Sequence, residues 1–248
     1  MQTLFLSDLH LGENTPKINS FFKKFIQYSQ NNCESIDSIF ILGDFFEFWV
    51  GDDYQSEFTK EIFNELGSLK KEYSIKCYFM HGNRDFLIGK GSQASFEQQT
   101  DFSIIDDPYC IEIEGEKILL SHGDSLCTDD IDYQKMRQMV RNELWQNDIL
   151  SKSIPERIQI ALTSRQQSQQ KQQQLEGQEY IADVSQEAVN QMLKQYQCKT
   201  LIHGHTHRPD THLFTLEGQQ VKRIVLAAWY EQASFLKYEN QNFSTVTL

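Results

Sequence analysis

The chain reads as an α/β protein leaning toward α+β, a sheet scaffold flanked by helices and interrupted by a helical insertion. Three observations predict it. The first hundred residues alternate short apolar runs with stretches of helical period, the rhythm of strands and helices packed in layers. From Tyr109 that rhythm gives way to paired runs that predict mixed or antiparallel sheet. A segment at roughly 128–198, partly glutamine-rich, is helical by pattern and interrupts the second part.

The elements follow in order. "TLFL" (3–6) is an apolar strand ending in "SDLHLG". The next stretch puts Ile18, Phe21, Phe22, Phe25 and Ile26 on one helical stripe. "SIFIL" (38–42) is a second buried strand, followed by the loop "GDFFEFWVGDD". A second helix runs through Phe58, Ile62, Phe63, Leu66 and Leu69, and "IKCYFM" is a third strand, leaving through "HGNRD". "YCIEIEGEKILLSHGD" predicts a hairpin turning at Glu114-Gly115, and the C-terminal fifty residues repeat the strand pattern.

In the insertion, "IDYQKMRQMVRNELW" reads as one helix. A second begins near Pro155, a residue suited to a first turn, and a third is N-capped by Ser185. The run "RQQSQQKQQQLEGQ" predicts a solvated helix or loop. The expected division is a scaffold of residues 1–127 and 199–248, with 128–198 as a helical cap over one end of the sheet.

At 248 residues the chain can bury a sizeable core. Its formal charge of −12 argues against a broad nucleic-acid surface. The cysteines (Cys33, Cys77, Cys110, Cys127, Cys198) are odd in number and form no CxxC pair, which suits reduced thiols in a cytosolic compartment. Neither a secretory signal nor an apolar run of transmembrane length is expected, so any membrane contact should be peripheral.

Chemistry concentrates where strands end. "SDLH" supplies Asp8 and His10, "GD" Asp44, "GN" Asn83, "HGD" His122, and "HGHTH" His203 and His205. Each segment follows an apolar run, so these side chains should gather along one sheet edge, where α/β proteins bind ligands. Three oxygen donors with four imidazoles suit Mn, Fe or Zn better than Mg or Ca. A lone GD or a single histidine is more often structural, but the five segments together in this order are specific.

The order DxH, GD, GN, H, GHxH resembles the calcineurin-like metallophosphoesterase family. The resemblance implies that family's β-sandwich flanked by helices. It also implies two divalent ions, one on Asp8, His10, Asp44 and His205, the other on Asp44, Asn83, His122 and His203, with Asp44 shared. Two ions roughly 3.5–4 Å apart activate water and clamp phosphoryl oxygens for in-line attack.

Arg84 stands after Asn83, where the wider family commonly carries His or another residue. Arginine offers fixed bidentate donors and cannot act as an acid at neutral pH, which favours a pyrophosphate over a simple monoester. The words "GDFFEFWVGDD", "HGNRDFLIGKG", "SHGDSLCTDDIDYQ" and "HGHTHRP" are similar to those of the UDP-2,3-diacylglucosamine hydrolases, the pyrophosphatases of lipid A synthesis. That resemblance implies cleavage of UDP-2,3-diacylglucosamine at the α-phosphorus, giving UMP and lipid X, with Mn²⁺ as the metal and a cap that holds the acyl chains. It assigns substrate contacts to Asn83, Arg84, Asp130, Arg165, Ser168, Lys171 and His203. Catalysis falls to Arg84 and to Asp85, the latter by orienting Arg84 or a metal-ligand histidine. The implied location is peripheral, on the cytoplasmic face of the inner membrane, with no nucleic-acid partner.

Seven basic residues against four acidic ones between Ile131 and Lys171 could meet an anionic lipid or pyrophosphate, or could be a salt-bridged exposed helix. Two other functions fit the scaffold: another phosphodiesterase or phosphatase, and a non-catalytic interaction module. Arg84 and the cap speak against the first, and the complete ligand set against the second. "LAAWY" departs from the family's Gly before Trp, leaving Ala228 and Tyr230 without an inherited role.

Overall fold

The computed structural model describes residues 1–174 and 183–248. The chain begins β1 (Gln2–Leu6), α1 (Pro16–Asn31), β2 (Ile36–Leu42), α2 (Glu57–Lys71), β3 (Lys76–Met80), α3 (Phe96–Thr100) and β4 (Ser103–Ile105). A hairpin of β5 (Tyr109–Ile113) and β6 (Glu116–Ser121) leads into α4 (Ile131–Val140), α5 (Glu143–Ser151), α6 (Ile154–Gln174) and α7 (Gln186–Tyr196). The chain closes with β7 (Thr200–His203), β8 (Asp210–Leu216), β9 (Gln219–Val225), β10 (Ser234–Glu239) and β11 (Asn242–Thr247).

Two mixed sheets result, in the orders β11-β10-β1-β2-β3-β4 and β5-β6-β7-β9-β8. β1 to β4 run parallel in the first, and β6, β7 and β9 in the second. Period-two alternation sorts each strand's residues between layers. Phe5, Phe40, Leu42, Met80, Leu120, Ile202 and Ile224 fill the space between the sheets. Leu4, Leu6, Ile39, Ile41 and Phe79 face outward onto α1 and α2, burying Phe22, Phe25, Phe63 and Leu66. Leu119, Leu201 and Val221 face the opposite way and pack on Val189 and Leu193 of α7. The sandwich is therefore flanked by helices on both sides.

The expected hairpin turns at Glu114-Gly115, both with positive φ (51° and 81°) as a two-residue type I′ turn requires. The short α3 and β4 carry too few residues to show a period in the sequence. The helix expected over "IDYQKMRQMVRNELW" is two. Asn142 breaks it, turning its side chain to accept from the N–H groups of Leu144 (3.0 Å) and Trp145 (3.3 Å) and so N-capping α5. α6 carries the glutamine-rich run as helix to Gln174, and the remainder of that run lies outside the described residues.

Three arginines of the middle helices face inward. Arg137 Nε donates to Asp124 (2.9 Å), Arg141 to the Gly82 carbonyl (2.9 Å), and Arg157 to Asp53 and the Val50 carbonyl. These arginines join the helices to the scaffold, while Lys152 pairs with Asp148 (3.0 Å) on the surface.

Candidate metal centre

The loops leaving β1, β2, β3, β6 and β7 converge at one edge. Backbone bonds lace them together: Asp8 N–H to the Gly43 carbonyl (3.0 Å), His10 N–H to that of Asp44 (3.0 Å), and Gly204 N–H to that of His122 (2.9 Å). Asp8, His10, Asp44, His205 and His207 all have positive φ, between 50° and 67°. Five non-glycine residues in the left-handed region store strain that a packed loop cluster must hold, a pattern typical of functional sites. Glycines let the loops approach. A Cβ on Gly82 would strike Asp44, and one on Gly204 would strike Asp8 and Ser7.

Two groups of donors form. In one, His207 Nε2 donates to Asp8 Oδ1 (3.2 Å) and lies 3.3 Å from His10 Nε2. In the other, Asn83 Oδ1 meets His122 Nε2 (3.0 Å) and His205 Nδ1 (2.9 Å), with Asp44 Oδ1 3.6 Å from the same His122 nitrogen. Asp44 links the groups, since its carboxylate lies within 4.8 Å of ligand atoms of both Asp8 and His122.

His203 is not part of either group, which corrects the reading of "HGHTH". As the last residue of β7 it follows the strand's alternation onto the outer face of the second sheet, beside Leu201. There its Nδ1 donates to the Gly204 carbonyl (2.9 Å) and its Nε2 accepts from Arg223 (3.3 Å). The pair that enters the centre is His205 and His207. Counting GHxH from Gly204 finds them, since the glycine precedes the first of the two. His205 also stands with Asn83 and His122, not with His10 as expected.

Electrostatics prepare these groups for cations. Burial pushes His10 and His205 down to about 3, which keeps them as the neutral imidazoles that ligate metals. Burial alone would raise the Asp8 carboxyl, but the hydrogen bond and charge of His207 outweigh it and hold it well below the usual range. Burial works against a charged His122, yet Asp44, Asp124 and Asp8 draw it up to about 9. His122 Nδ1 donates to the Leu42 carbonyl (2.9 Å), the contact that fixes the tautomer with Nε2 turned to Asn83 and Asp44. The residues present fit divalent ions.

Arg84 reaches the centre, its Nε 3.9 Å from Asp44 Oδ2 and its side chain 23% exposed. Asp85 has another task than expected. Fully buried, it accepts from the N–H groups of Phe45 (2.7 Å) and Gly82 (2.7 Å), stapling the "GD" loop to the "GN" loop, and it bonds neither Arg84 nor a histidine. Asp130 accepts from Tyr133 N–H (2.9 Å) as the N-cap of α4. Arg165 of α6 pairs with Glu47 beside His10. The side chains of Ser168 and Lys171 lie outside the described residues. Two contacts were not foreseen. Buried Asp124 gathers Tyr133 and Arg137, fixing α4 over the site. The Tyr230 ring stacks on His10 with centroids 5.5 Å apart.

The family model of calcineurin-like phosphoesterases matches residues 1–209. The chain belongs to the calcineurin-like phosphoesterase family. Membership implies divalent metal ions, in keeping with the donor groups above. Among curated members, the chain is 42% identical over 236 residues to a UDP-2,3-diacylglucosamine hydrolase of Coxiella burnetii, covering 95% of this chain and 93% of the relative. It is 40% identical over 247 residues to the protein of that name in Pectobacterium carotovorum, covering 100% and 99%. A solved archaeal phosphodiesterase of 15% identity shares the fold, with a TM-score of 0.50 over the whole of both chains.

Proposed function

We propose that this phosphoesterase hydrolyses the pyrophosphate of UDP-2,3-diacylglucosamine at the α-phosphorus, giving UMP and 2,3-diacylglucosamine 1-phosphate (lipid X) for lipid A synthesis. The observation that carries the reading is the double donor group at the sheet edge with Arg84 beside it. The substrate class is supported by full-length likeness to relatives that bear the hydrolase name.

In this reading Asp8, His10, Asp44 and His207 hold one ion, and Asp44, Asn83, His122 and His205 the other, with Mn²⁺ as the metal. When bound, such a pair activates water and offsets charge on phosphoryl oxygens. Arg84 donates to the pyrophosphate, where a rigid guanidinium matches two oxygens at once. Asn83 adds a donor without adding negative charge near an anionic substrate. Asp85 keeps the Asp44 and Asn83 loops in register, as a positioning residue.

The middle helices, which we take as a cap of residues 128–198, present Ile131, Met136, Met139, Leu144 and Leu162 to solvent, between 40% and 80% exposed. Exposed apolar side chains on these helices suit acyl chains and a bilayer surface. No helix among the described residues is long and apolar enough to cross a membrane, and we propose peripheral attachment at the cytoplasmic face of the inner membrane. Asp130, Ser168 and Lys171 are proposed to contact the substrate from the cap.

The test is incubation with Mn²⁺ and UDP-2,3-diacylglucosamine in ¹⁸O-labelled water. UMP and lipid X should form, with the label in UMP. Label in lipid X would overturn attack at the α-phosphorus, and absence of both products would overturn the substrate.

A further inference from the structure

We propose that Glu47 is a positioning residue that orients His10 for its metal and is itself held by Arg165, so that docking of α6 and metal binding at the His10 end support each other. The inference rests on the metal assignment above and not on which phosphoester is cleaved.

His10 is 1% exposed and turns Nε2 toward His207 and Asp8. Its Nδ1 is buried without a hydrogen-bond partner. The nearby carboxylate is that of Glu47, whose Oε2 lies 3.6 Å away, just beyond hydrogen-bond length. A buried ring N–H without an acceptor carries a full desolvation cost, so a closure of a few tenths of an ångström is favoured. A ligating histidine nearly always donates its second nitrogen to such an acceptor, which sets its tautomer and its basicity.

The backbone fixes Glu47 there. Leu11 N–H donates to the Phe45 carbonyl (2.8 Å) and Glu47 N–H to that of Leu11 (2.9 Å), so the segment after Asp44 runs along the one after Asp8. A carboxylate with 13% of its side chain exposed calls for a counter-charge, and Arg165 supplies it from α6. Arg165 therefore touches the centre through Glu47. Because linkage is reciprocal, whatever holds α6 down should tighten the metal, and metal should tighten α6.

Mn²⁺ titration of the full chain, read by the loss of the free-ion EPR signal, tests this without substrate. Glu47→Leu, similar in size but lacking an acceptor, should weaken one of two Mn²⁺ equivalents about 10–100-fold and spare the other. Glu47→Gln should recover most of that loss, since its amide oxygen still accepts. Arg165→Gln should weaken the same equivalent in the wild-type background and add nothing to Glu47→Leu. Should Glu47→Leu fail to fold by circular dichroism, Glu47→Asp, one methylene short of His10, takes its place under the same criteria. Unchanged binding of both equivalents, a Gln variant as poor as Leu, or an Arg165 effect that adds in full would overturn the proposal. A chain that binds two Mn²⁺ with this pattern yet spares UDP-2,3-diacylglucosamine would uphold the inference and sink only the substrate.

Discussion

His203 and His207 differ by four positions and by the face of the molecule they occupy. His207→Ala should weaken Mn²⁺ at the Asp8–His10 end by more than the roughly 10–100-fold typical of an outer-shell partner, and activity should fall with it. His203→Gln should keep both equivalents, because that ring bonds Gly204 and Arg223 instead. Metal content measured side by side on the two variants decides the assignment. Asn83 and Arg84 make a second contrast. Asn83→Ala should lose metal and regain part of its activity in excess Mn²⁺. Arg84→Ala should keep its metal and lose about 10²–10³ in turnover, the usual effect of removing one preorganised donor. Arg84→Lys should recover only part, since a point charge lacks the bidentate geometry. Normal turnover in Arg84→Ala would make the arginine structural.

At the scale of elements, polar anchors hold the middle helices. α4 is fixed by Arg137 and Tyr133 on Asp124 and by Arg141 on the Gly82 carbonyl, α6 by Arg157 on Asp53. The Asp53 carboxyl is held below its ordinary value, first by the Arg157 hydrogen bond, with burial working the other way. A depressed carboxylate stabilises the fold above its unfolded value of about 3.9, and that stability is lost as pH falls through the folded value. Asp53→Asn should therefore melt lower than the wild type at pH 7, by about 2–4 °C for each kcal/mol lost. The gap should close as the pH is taken below about 3.9. A gap that persisted at low pH would assign the effect to packing instead of charge. Thermal melts across pH supply the measurement.

For the whole molecule, net charge and the surface of the middle helices bear on the proposed membrane contact. The chain carries −12 overall, and four cap arginines face scaffold carboxylates or carbonyls. Ile131, Met139 and Leu144 are exposed, and in the proposed attachment they are the side chains that would meet lipid. Binding to vesicles should thus persist in high salt, which screens surface charge but strengthens apolar association. Met139→Ser with Leu144→Ser should reduce vesicle binding several-fold and raise KM for the lipid substrate, with hydrolysis of a small phosphodiester unchanged. Complete release by salt in a flotation assay would return the contact to electrostatics.

Period and punctuation were enough to read the layered scaffold, since alternation at Phe40 or Leu120 and the stripe of α1 are properties of short segments. The donors at the ends of β1, β2, β3 and β6 were legible for the same reason, each tied to an apolar run that ends just before it. Two outcomes needed the folded chain. The loop after β7 takes left-handed turns at His205 and His207, and only that path, packed against Asp8, decides which imidazoles enter the centre. Asp85 binding backbone N–H groups forty residues away, and Cys110 and Cys198 lying 3.4 Å apart without a shared motif, are likewise set by loop closure. Local periodicity carries the orientation of a side chain along its own strand or helix. The meeting of distant segments depends on how every loop between them closes, and that is decided only when the whole core packs.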